Sequence, residues 1–248
     1  MTLSEFFEEN PETAVALSGG VDSAYLLFQA AKCAKKVRAY FVRSQFQPEF
    51  ELEDARKIAE TAGAELEILT LDVLKISEIA ANGAERCYFC KKAMFSLIAA
   101  AAEKDGFSLL LDGTNASDDE SDRPGTRAKN ELRVRSPLRE CGLEKSEIRR
   151  LAREAGLHVW DKPAYACLAT RIRTGERIDE NKLKMTEQAE NFLASLGFSD
   201  FRVRLRGGAA VLQIKAEQFA LAAENREKIV SELKKSYGAV MLDMEARE

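Results

Sequence analysis

Six consecutive residues, SGGVDS (18–23), combine the residue types that bind phosphate. They follow the apolar segment TAVAL (13–17) and open a helical pattern. Two glycines let successive backbone N–H groups point into one cavity, and the N-terminus of a helix adds positive potential there. Because GK[ST] is missing, this is not the loop of P-loop NTPases. The hexapeptide predicts a loop that holds the phosphates of a nucleotide.

A second stretch, AYACLAT (164–170), places Cys167 in an apolar loop just after a proline. A thiolate is a strong nucleophile, and neighbouring cations such as Arg171 and Arg173 favour its formation. A cysteine in this setting can equally be a packing residue. From the residues alone, both interpretations stay open.

The other four cysteines divide into two kinds. Cys87 and Cys90 form a CxxC motif, which suits a redox pair or half of a metal site. No second CxxC or histidine pair completes a zinc site, and the single histidine, His158, is predicted to be structural. Cys33 and Cys141 are predicted to pack in the core. An odd number of cysteines without an export signal predicts reduced thiols and a cytoplasmic protein.

Short apolar segments alternate with helical patterns along most of the chain. Predicted strands are 13–17, 37–42, 65–72 and VRSPL (134–138), and 108–115 is predicted to be a strand that enters a loop. Predicted helices are 23–35, 49–63, 86–106 and 146–157. This alternation favours an α/β fold with a doubly wound parallel sheet. Such sheets bind ligands beyond the carboxyl ends of their strands, where SGGVDS and DGTN (112–115) both lie.

The pattern changes toward the end of the chain. The polar stretch 115–130 predicts a long functional loop or lid. The remaining predicted elements are a helix over 178–197, a hairpin over 201–214 turning at Gly207 and Gly208, a helix over 216–238 and a strand over 239–244. We therefore predict two domains, 1–175 and a smaller α/β domain, 176–248, that binds substrate or mediates oligomerisation.

The motif SGGxDS resembles the pyrophosphate loop of the ATP pyrophosphatases, which cleave ATP between its α and β phosphates and adenylate a substrate. The resemblance implies ATP and Mg²⁺ as cofactors, with Asp22 helping to position the metal. The residues that it implicates in nucleotide binding are Ser18, Gly19, Gly20, Asp22, Ser23, Ser44, Asp112, Gly113 and Asn115.

Three longer stretches, RCYFCKK (86–92), DGTNASDDESDRPGTRA (112–128) and 136–172, closely resemble the LarE family of sacrificial sulfur transferases. That resemblance implies adenylation of a carboxylate of a pyridinium biscarboxylate mononucleotide during synthesis of the nickel-pincer nucleotide. A cysteine thiolate then displaces AMP, and loss of its sulfur leaves dehydroalanine. Cys167 aligns with that sacrificial cysteine.

The family also implicates cations that receive the phosphate and carboxylates of the substrate. Arg202 and Arg204 alternate along a predicted strand and so share one face. Arg171 is the third predicted substrate ligand. The chain departs from the family pattern at Arg206, where a histidine is common, and at RIRTG (171–175), where RIPYG is usual. The resemblance also suggests a homo-oligomer such as a hexamer.

Other functions compete with this one. One alternative is a tRNA-thiolating enzyme, which shares the phosphate loop. The basic stretch 123–153, with ten Lys or Arg against four Asp or Glu, favours it, whereas the net charge of −4 argues against binding of nucleic acid. An amide-forming synthetase resembling ammonia-dependent NAD synthase would need no cysteine, and a nucleotide-binding module would do no chemistry. Cys87, Cys90 and Cys167 could instead ligate an iron–sulfur cluster. With no apolar run of about 18 residues, we expect no membrane segment.

Overall fold

Parallel pairing of four strands builds the first sheet. The computed structural model describes residues 1–119 and 124–247. Its first four strands are β1 (Glu12–Ala16), β2 (Lys36–Arg43), β3 (Glu65–Thr70) and β4 (Leu110–Leu111). They pair in the order β3-β2-β1-β4, all parallel. From β1 the chain adds β2 and β3 on one side of the sheet and β4 on the other. In such folds ligands bind beyond the carboxyl ends of the two strands at this switch, which are β1 and β4 here.

Eleven α-helices are present in the described ranges. Seven accompany the first sheet: α1 (Leu3–Glu9), α2 (Val21–Cys33), α3 (Glu49–Ala62), α5 (Arg86–Lys104), α6 (Pro124–Glu131), α7 (Pro137–Glu140) and α8 (Lys145–Glu154). The other four are α4 (Ser77–Ala80), α9 (Glu180–Ser195), α10 (Phe219–Glu224) and α11 (Arg226–Leu233).

Hydrophobic packing covers both faces of the first sheet. Val15 and Phe41 belong to a core that includes apolar residues of α1, α2, α3 and α8. Their neighbours Ala14 and Tyr40 belong to a second core with residues of α5. Successive residues of a strand point to opposite faces, so both faces carry helices. The predicted doubly wound α/β sheet is confirmed.

A smaller mixed sheet forms near the end of the chain. Its strands β5 (Arg202–Arg206) and β6 (Ala209–Gln213) make an antiparallel hairpin, and β7 (Ala239–Leu242) pairs in parallel with β6. The hairpin turns at Gly207 and Gly208, both with positive φ, as predicted. Residues of α9, α10 and α11 close a separate hydrophobic core on this sheet.

Contacts divide the chain into two compact units. The first comprises Met1–Asp72 and Glu85–Lys162; the second comprises Val73–Ala84 and the chain from Pro163 onward. This division falls ahead of the boundary predicted near residue 175, and the short segment that contains α4 joins the second unit.

Three predicted elements differ from the structure. The segment 134–138 contributes only a bridge from Arg135 to Leu111, because Pro137 lacks an N–H and begins α7. The predicted loop 115–130 contains the start of α6, which opens on a proline, while residues 120–123 lie outside the described ranges. The predicted helix 216–238 breaks at Asn225, whose side-chain amide donates to the carbonyl of Leu221.

Across the described residues, no helix is both long and apolar enough to cross a membrane.

Candidate nucleotide site and cysteine segment

The loop between β1 and α2 is closed by hydrogen bonds between its two serines. The backbone N–H of Ser18 donates to Ser23 Oγ at 3.1 Å, and the two hydroxyl oxygens lie 3.0 Å apart. Ser23 Oγ also donates to the carbonyl of Gly20, the N-cap of α2. The first turn of α2 is therefore tied back to the end of β1, and the positive end of the helix lies at the loop, as an anion site requires.

Gly19 has a conformation that other residues rarely adopt. Its φ is +78°, and a Cβ added there would lie 2.8 Å from the carbonyl oxygen of Glu51 on α3. Both the dihedral angle and the close backbone approach require glycine at this position.

Asp22, in the first turn of α2, combines one paired and one unpaired carboxylate oxygen. Oδ2 accepts a hydrogen bond from the ammonium of Lys145, the first residue of α8. Oδ1 is buried and accepts no hydrogen bond from any residue that the structure describes. Burial raises the pKa of Asp22, while Lys145 opposes that shift. A buried carboxylate oxygen of this kind suits Mg²⁺, with nucleotide phosphates supplying further oxygen ligands.

The DGTN segment after β4 is organised by its own aspartate. Asp112 Oδ1 accepts from the hydroxyl of Ser136 at 2.6 Å, and Oδ2 accepts from the hydroxyl of Thr114 at 2.7 Å. Ser136 Oγ accepts from the buried ammonium of Lys129 at 3.0 Å. Asn115 is buried, and its Oδ1 accepts from the N–H of Ser117 at 2.8 Å. These bonds fix the shape of the segment beside the phosphate loop.

Gly113 brings the two loops into contact. A Cβ added there would lie 2.7 Å from the backbone nitrogen of Ser23 and 3.0 Å from its Cα. The backbone after β4 therefore lies directly against the start of α2, as the strand order predicts.

Replacing Gly113 with alanine is expected to lower the affinity for ATP by about 10- to 100-fold. The added methyl group would overlap the backbone of Ser23, which cannot rotate away, and overpacking of this kind costs about 1–3 kcal/mol. Calorimetric titration with ATP measures this. Gly83→Ala is the control, since nothing lies within 4 Å of a Cβ there. Equal affinities of the Gly113→Ala variant and the unmodified protein would contradict the prediction.

Ser44, the remaining predicted nucleotide ligand, directly follows β2. It is buried, its hydroxyl donates to Gln47 Oε1, and the N–H of Phe46 donates to its Oγ at 3.2 Å. This turn shapes the loop after β2, the neighbour of β1 on its other side.

The second unit gathers the three predicted substrate arginines around the segment that carries Cys167. Arg202 donates to the carbonyl of Ala164 at 2.7 Å, and Arg204 donates to the carbonyl of Thr170 at 2.8 Å. Arg171 ends a short 3₁₀ turn (Leu168–Arg171) and donates to the carbonyl of Ala166 at 2.7 Å. Cys167 itself is half-buried. The side chains of all three arginines therefore donate to main-chain carbonyl groups of the cysteine segment.

Glu190 on α9 anchors this arrangement. Its two oxygens accept from Arg171 Nε at 2.8 Å and Nη2 at 3.0 Å, and also from the N–H of Val203 and the hydroxyl of Tyr165. Arg171 is 0% exposed, so its guanidinium faces protein on all sides. The guanidinium of Arg171 lies 4.5 Å from the centre of the Tyr165 ring, and that of Arg202 lies 5.0 Å from it.

Burial and charge shift the pKa values of these groups. Burial, together with the charges of Arg171 and Arg247, lowers the pKa of Arg202 to about 10. Burial and the Arg206 charge lower the pKa of Arg204. Burial and the Glu190 carboxylate raise the pKa of Tyr165. Three closely spaced guanidinium groups and the Glu190 carboxylate therefore lie against the segment that carries Cys167.

The remaining cysteines occupy other places. Cys87 and Cys90 lie in the first turns of α5, exposed and half-buried respectively, and Cys90 Sγ lies 3.8 Å from the sulfur of Met94. Cys33 and Cys141 pack against the first core, as predicted. In the described part of the chain, no three His, Cys, Asp or Glu side chains form a group suited to a metal ion. His158 contacts Asp54 at 3.0 Å.

Sequence reasoning missed Lys145, Thr170 and Glu190. Lys145 carries no local signal, because its partner in the phosphate loop is 123 residues away. Glu190 does carry one, since it occupies the buried stripe of α9 together with Leu183, Thr186 and Leu193. A carboxylate on the apolar face of a helix indicates a buried partner.

The chain is similar to one family model over part of its length and to several proteins over most of its length. The queuosine biosynthesis protein QueC family matches residues 12–86. An uncharacterized protein of Synechocystis sp. is 35% identical over 218 residues, 87% of this chain and 81% of that protein. An uncharacterized protein of Methanocaldococcus jannaschii is 32% identical over 95% of this chain and 89% of its own length. The pyridinium-3,5-bisthiocarboxylic acid mononucleotide synthase of Lactiplantibacillus plantarum is 32% identical over 215 residues, 86% of this chain and 78% of that protein.

Proposed function

The chain belongs to the LarE family within the PP-loop ATP pyrophosphatases, and we propose that it uses ATP to adenylate a carboxylate of pyridinium-3,5-biscarboxylic acid mononucleotide. The carboxylate then becomes a thiocarboxylate with sulfur from Cys167. The observation that carries this proposal is the convergence of Arg171, Arg202 and Arg204 on the main chain of the cysteine segment.

Adenylation is the task of the first unit. Ser18, Gly19, Gly20 and Ser23 form a loop whose N–H groups and helix end suit the β and γ phosphates, which leave as pyrophosphate. Asp22 would hold Mg²⁺, which neutralises phosphate charge when bound. The substrate carboxylate attacks the α phosphorus, so that its oxygen leaves later as part of AMP.

Sulfur transfer is the task of Cys167. Its thiolate attacks the acyl carbon, AMP departs, and a thioester joins substrate to protein. The Cβ–S bond then breaks, which releases thiocarboxylate and leaves dehydroalanine. Arg202 and Arg204 supply positive charge for the phosphate or carboxylates of the substrate. Each chain reacts once in this scheme, in a homo-oligomer of the cytoplasm.

Mass spectrometry of the intact protein tests the scheme. The chain is incubated with ATP, Mg²⁺ and the pyridinium substrate, and its mass is taken before and after. We expect a loss equal to one H₂S, which peptide mapping assigns to Cys167. Thiolated product from a protein of unchanged mass would contradict the scheme and favour a catalytic, cluster-dependent route. Product from an RNA substrate instead would favour a tRNA-thiolating function.

Lys145 adds a cation to the phosphate loop through its contact with Asp22. Replacing Lys145 with methionine is expected to slow pyrophosphate release about 10- to 100-fold, the equivalent of one charge-assisted hydrogen bond of about 1.5–3 kcal/mol. A coupled pyrophosphate assay measures this. Arg150→Met is the control, because Arg150 lies on the same helix but pairs with the exposed Glu147 and Glu154. If the two variants release pyrophosphate at the same rate, Lys145 has no role in the phosphate site.

A further inference from the structure

The carbonyl oxygen of Cys167 is the focus of three hydrogen-bond donors. The N–H of Thr170 donates to it at 3.0 Å and the hydroxyl of Thr170 at 2.9 Å. The guanidinium of Arg171 donates through Nη1 at 3.4 Å. A 3₁₀ turn needs only the first of these bonds. The hydroxyl and the buried cation are additional donors to the same oxygen.

This oxygen belongs to the reacting residue itself. Cleavage of the Cβ–S bond by elimination starts with loss of the α-proton of Cys167, and the resulting negative charge is shared with the adjacent carbonyl oxygen. We propose that Thr170 and Arg171 form an oxyanion site that stabilises this enolate and so promotes conversion of Cys167 to dehydroalanine. The inference rests on the proposed sulfur transfer and concerns only its last step.

The step balances without a further reactant except a base. A water molecule takes the α-proton, and the C–H electron pair forms the enolate. The enolate then collapses to a Cα=Cβ double bond, the Cβ–S bond breaks, and its electron pair leaves on the sulfur of the thiocarboxylate. No atom is oxidised or reduced by an external agent, and AMP has already departed.

Glu190 gives the oxyanion site its rigidity, as a positioning residue. It holds Nε and Nη2 of Arg171 in a bidentate pair, which leaves Nη1 for Ala166, Cys167 and Thr170. Because Arg171 is fully buried, the donor is held in place before the charge develops. Donors preorganised in this way stabilise transition states more strongly than water does. These contacts give Arg171 a task other than binding the substrate.

A single-turnover experiment separates elimination from the earlier steps. The protein, ATP, Mg²⁺ and the pyridinium mononucleotide are mixed and quenched over time, and intact masses distinguish the thioester adduct from dehydroalanine. In the Thr170→Val variant we expect the thioester to form at the normal rate and to accumulate, with elimination slowed about 100-fold, the effect of one lost oxyanion donor. Thr170→Ser restores the hydroxyl and is expected to restore the rate.

Thr186→Val is the matched control. Its hydroxyl also donates to a backbone carbonyl, that of Lys182 at 2.8 Å, one turn earlier in α9. We expect normal elimination in this variant. Elimination at the normal rate in Thr170→Val, without accumulation of thioester, would overturn the inference.

A wild-type protein that forms no thioester would instead overturn the proposed function. The inference is then decided by a second measurement, in which the thiols are cyanylated and loss of thiocyanate from Cys167 is followed in mild base. In the cyanylated protein without substitutions, we expect the rate of elimination at Cys167 to exceed the rate at the exposed Cys87. In Thr170→Val the difference should disappear, whereas an unchanged difference would overturn the inference.

Discussion

The Cys167→Ala variant is expected to yield no thiolated product while it still releases pyrophosphate from ATP. The sulfur in the product comes from this side chain in the proposed scheme, so its removal leaves no donor atom. Adenylation depends on the loop between β1 and α2, which belongs to the first unit. Pyrophosphate release and product thiolation, measured on the same sample, therefore respond differently. Acyl adenylate should accumulate or hydrolyse in the variant.

Cys141→Ala provides the matched control. Burial raises the pKa of the Cys141 thiol, which makes it a poor nucleophile, and the residue packs against the first core. We expect this variant to retain thiolation. Continued thiolation by the Cys167→Ala variant would show that another sulfur source is used, and that result would revive a role for Cys87 and Cys90. An amide product in the presence of ammonia would favour a synthetase.

Replacing Glu190 with glutamine is expected to lower the free energy of unfolding of the second unit by about 3–5 kcal/mol, since it leaves the buried Arg171 without its countercharge. The same change replaces one accepting oxygen with an NH₂ group, which then lies opposite either the N–H of Val203 or the hydroxyl of Tyr165. Denaturation with guanidinium chloride, followed by far-ultraviolet circular dichroism, measures the loss.

Glu180→Gln controls for a change of charge on the same helix. Glu180 pairs with Lys184, four residues later, and both side chains are largely exposed, so little stability should be lost. If both variants unfold at the same denaturant concentration, the buried pair of Arg171 and Glu190 contributes nothing to the free energy of unfolding.

Local patterns were sufficient for most elements and for the phosphate loop. The alternation of strands and helices predicted the parallel sheet because helix and strand periods differ and each can be recognised over a few residues. Prediction failed where one side chain or one proline redirected the backbone. At Asn225 the backbone departs from helical angles, with φ −100° and ψ 13°, and at Pro137 the missing N–H ends strand pairing.

The sequence by itself determined that a glycine-rich anion loop follows the first strand, that Cys167 lies in an irregular segment after a proline, and that Arg202 and Arg204 share one face of a strand. Only the tertiary structure decided what these arginines contact. Arg202 bonds to Ala164, 38 residues away, and Arg171 is buried against Glu190, 19 residues away. Hydrogen bonds between distant segments depend on how strands and helices pack, and no local pattern of residues encodes that packing.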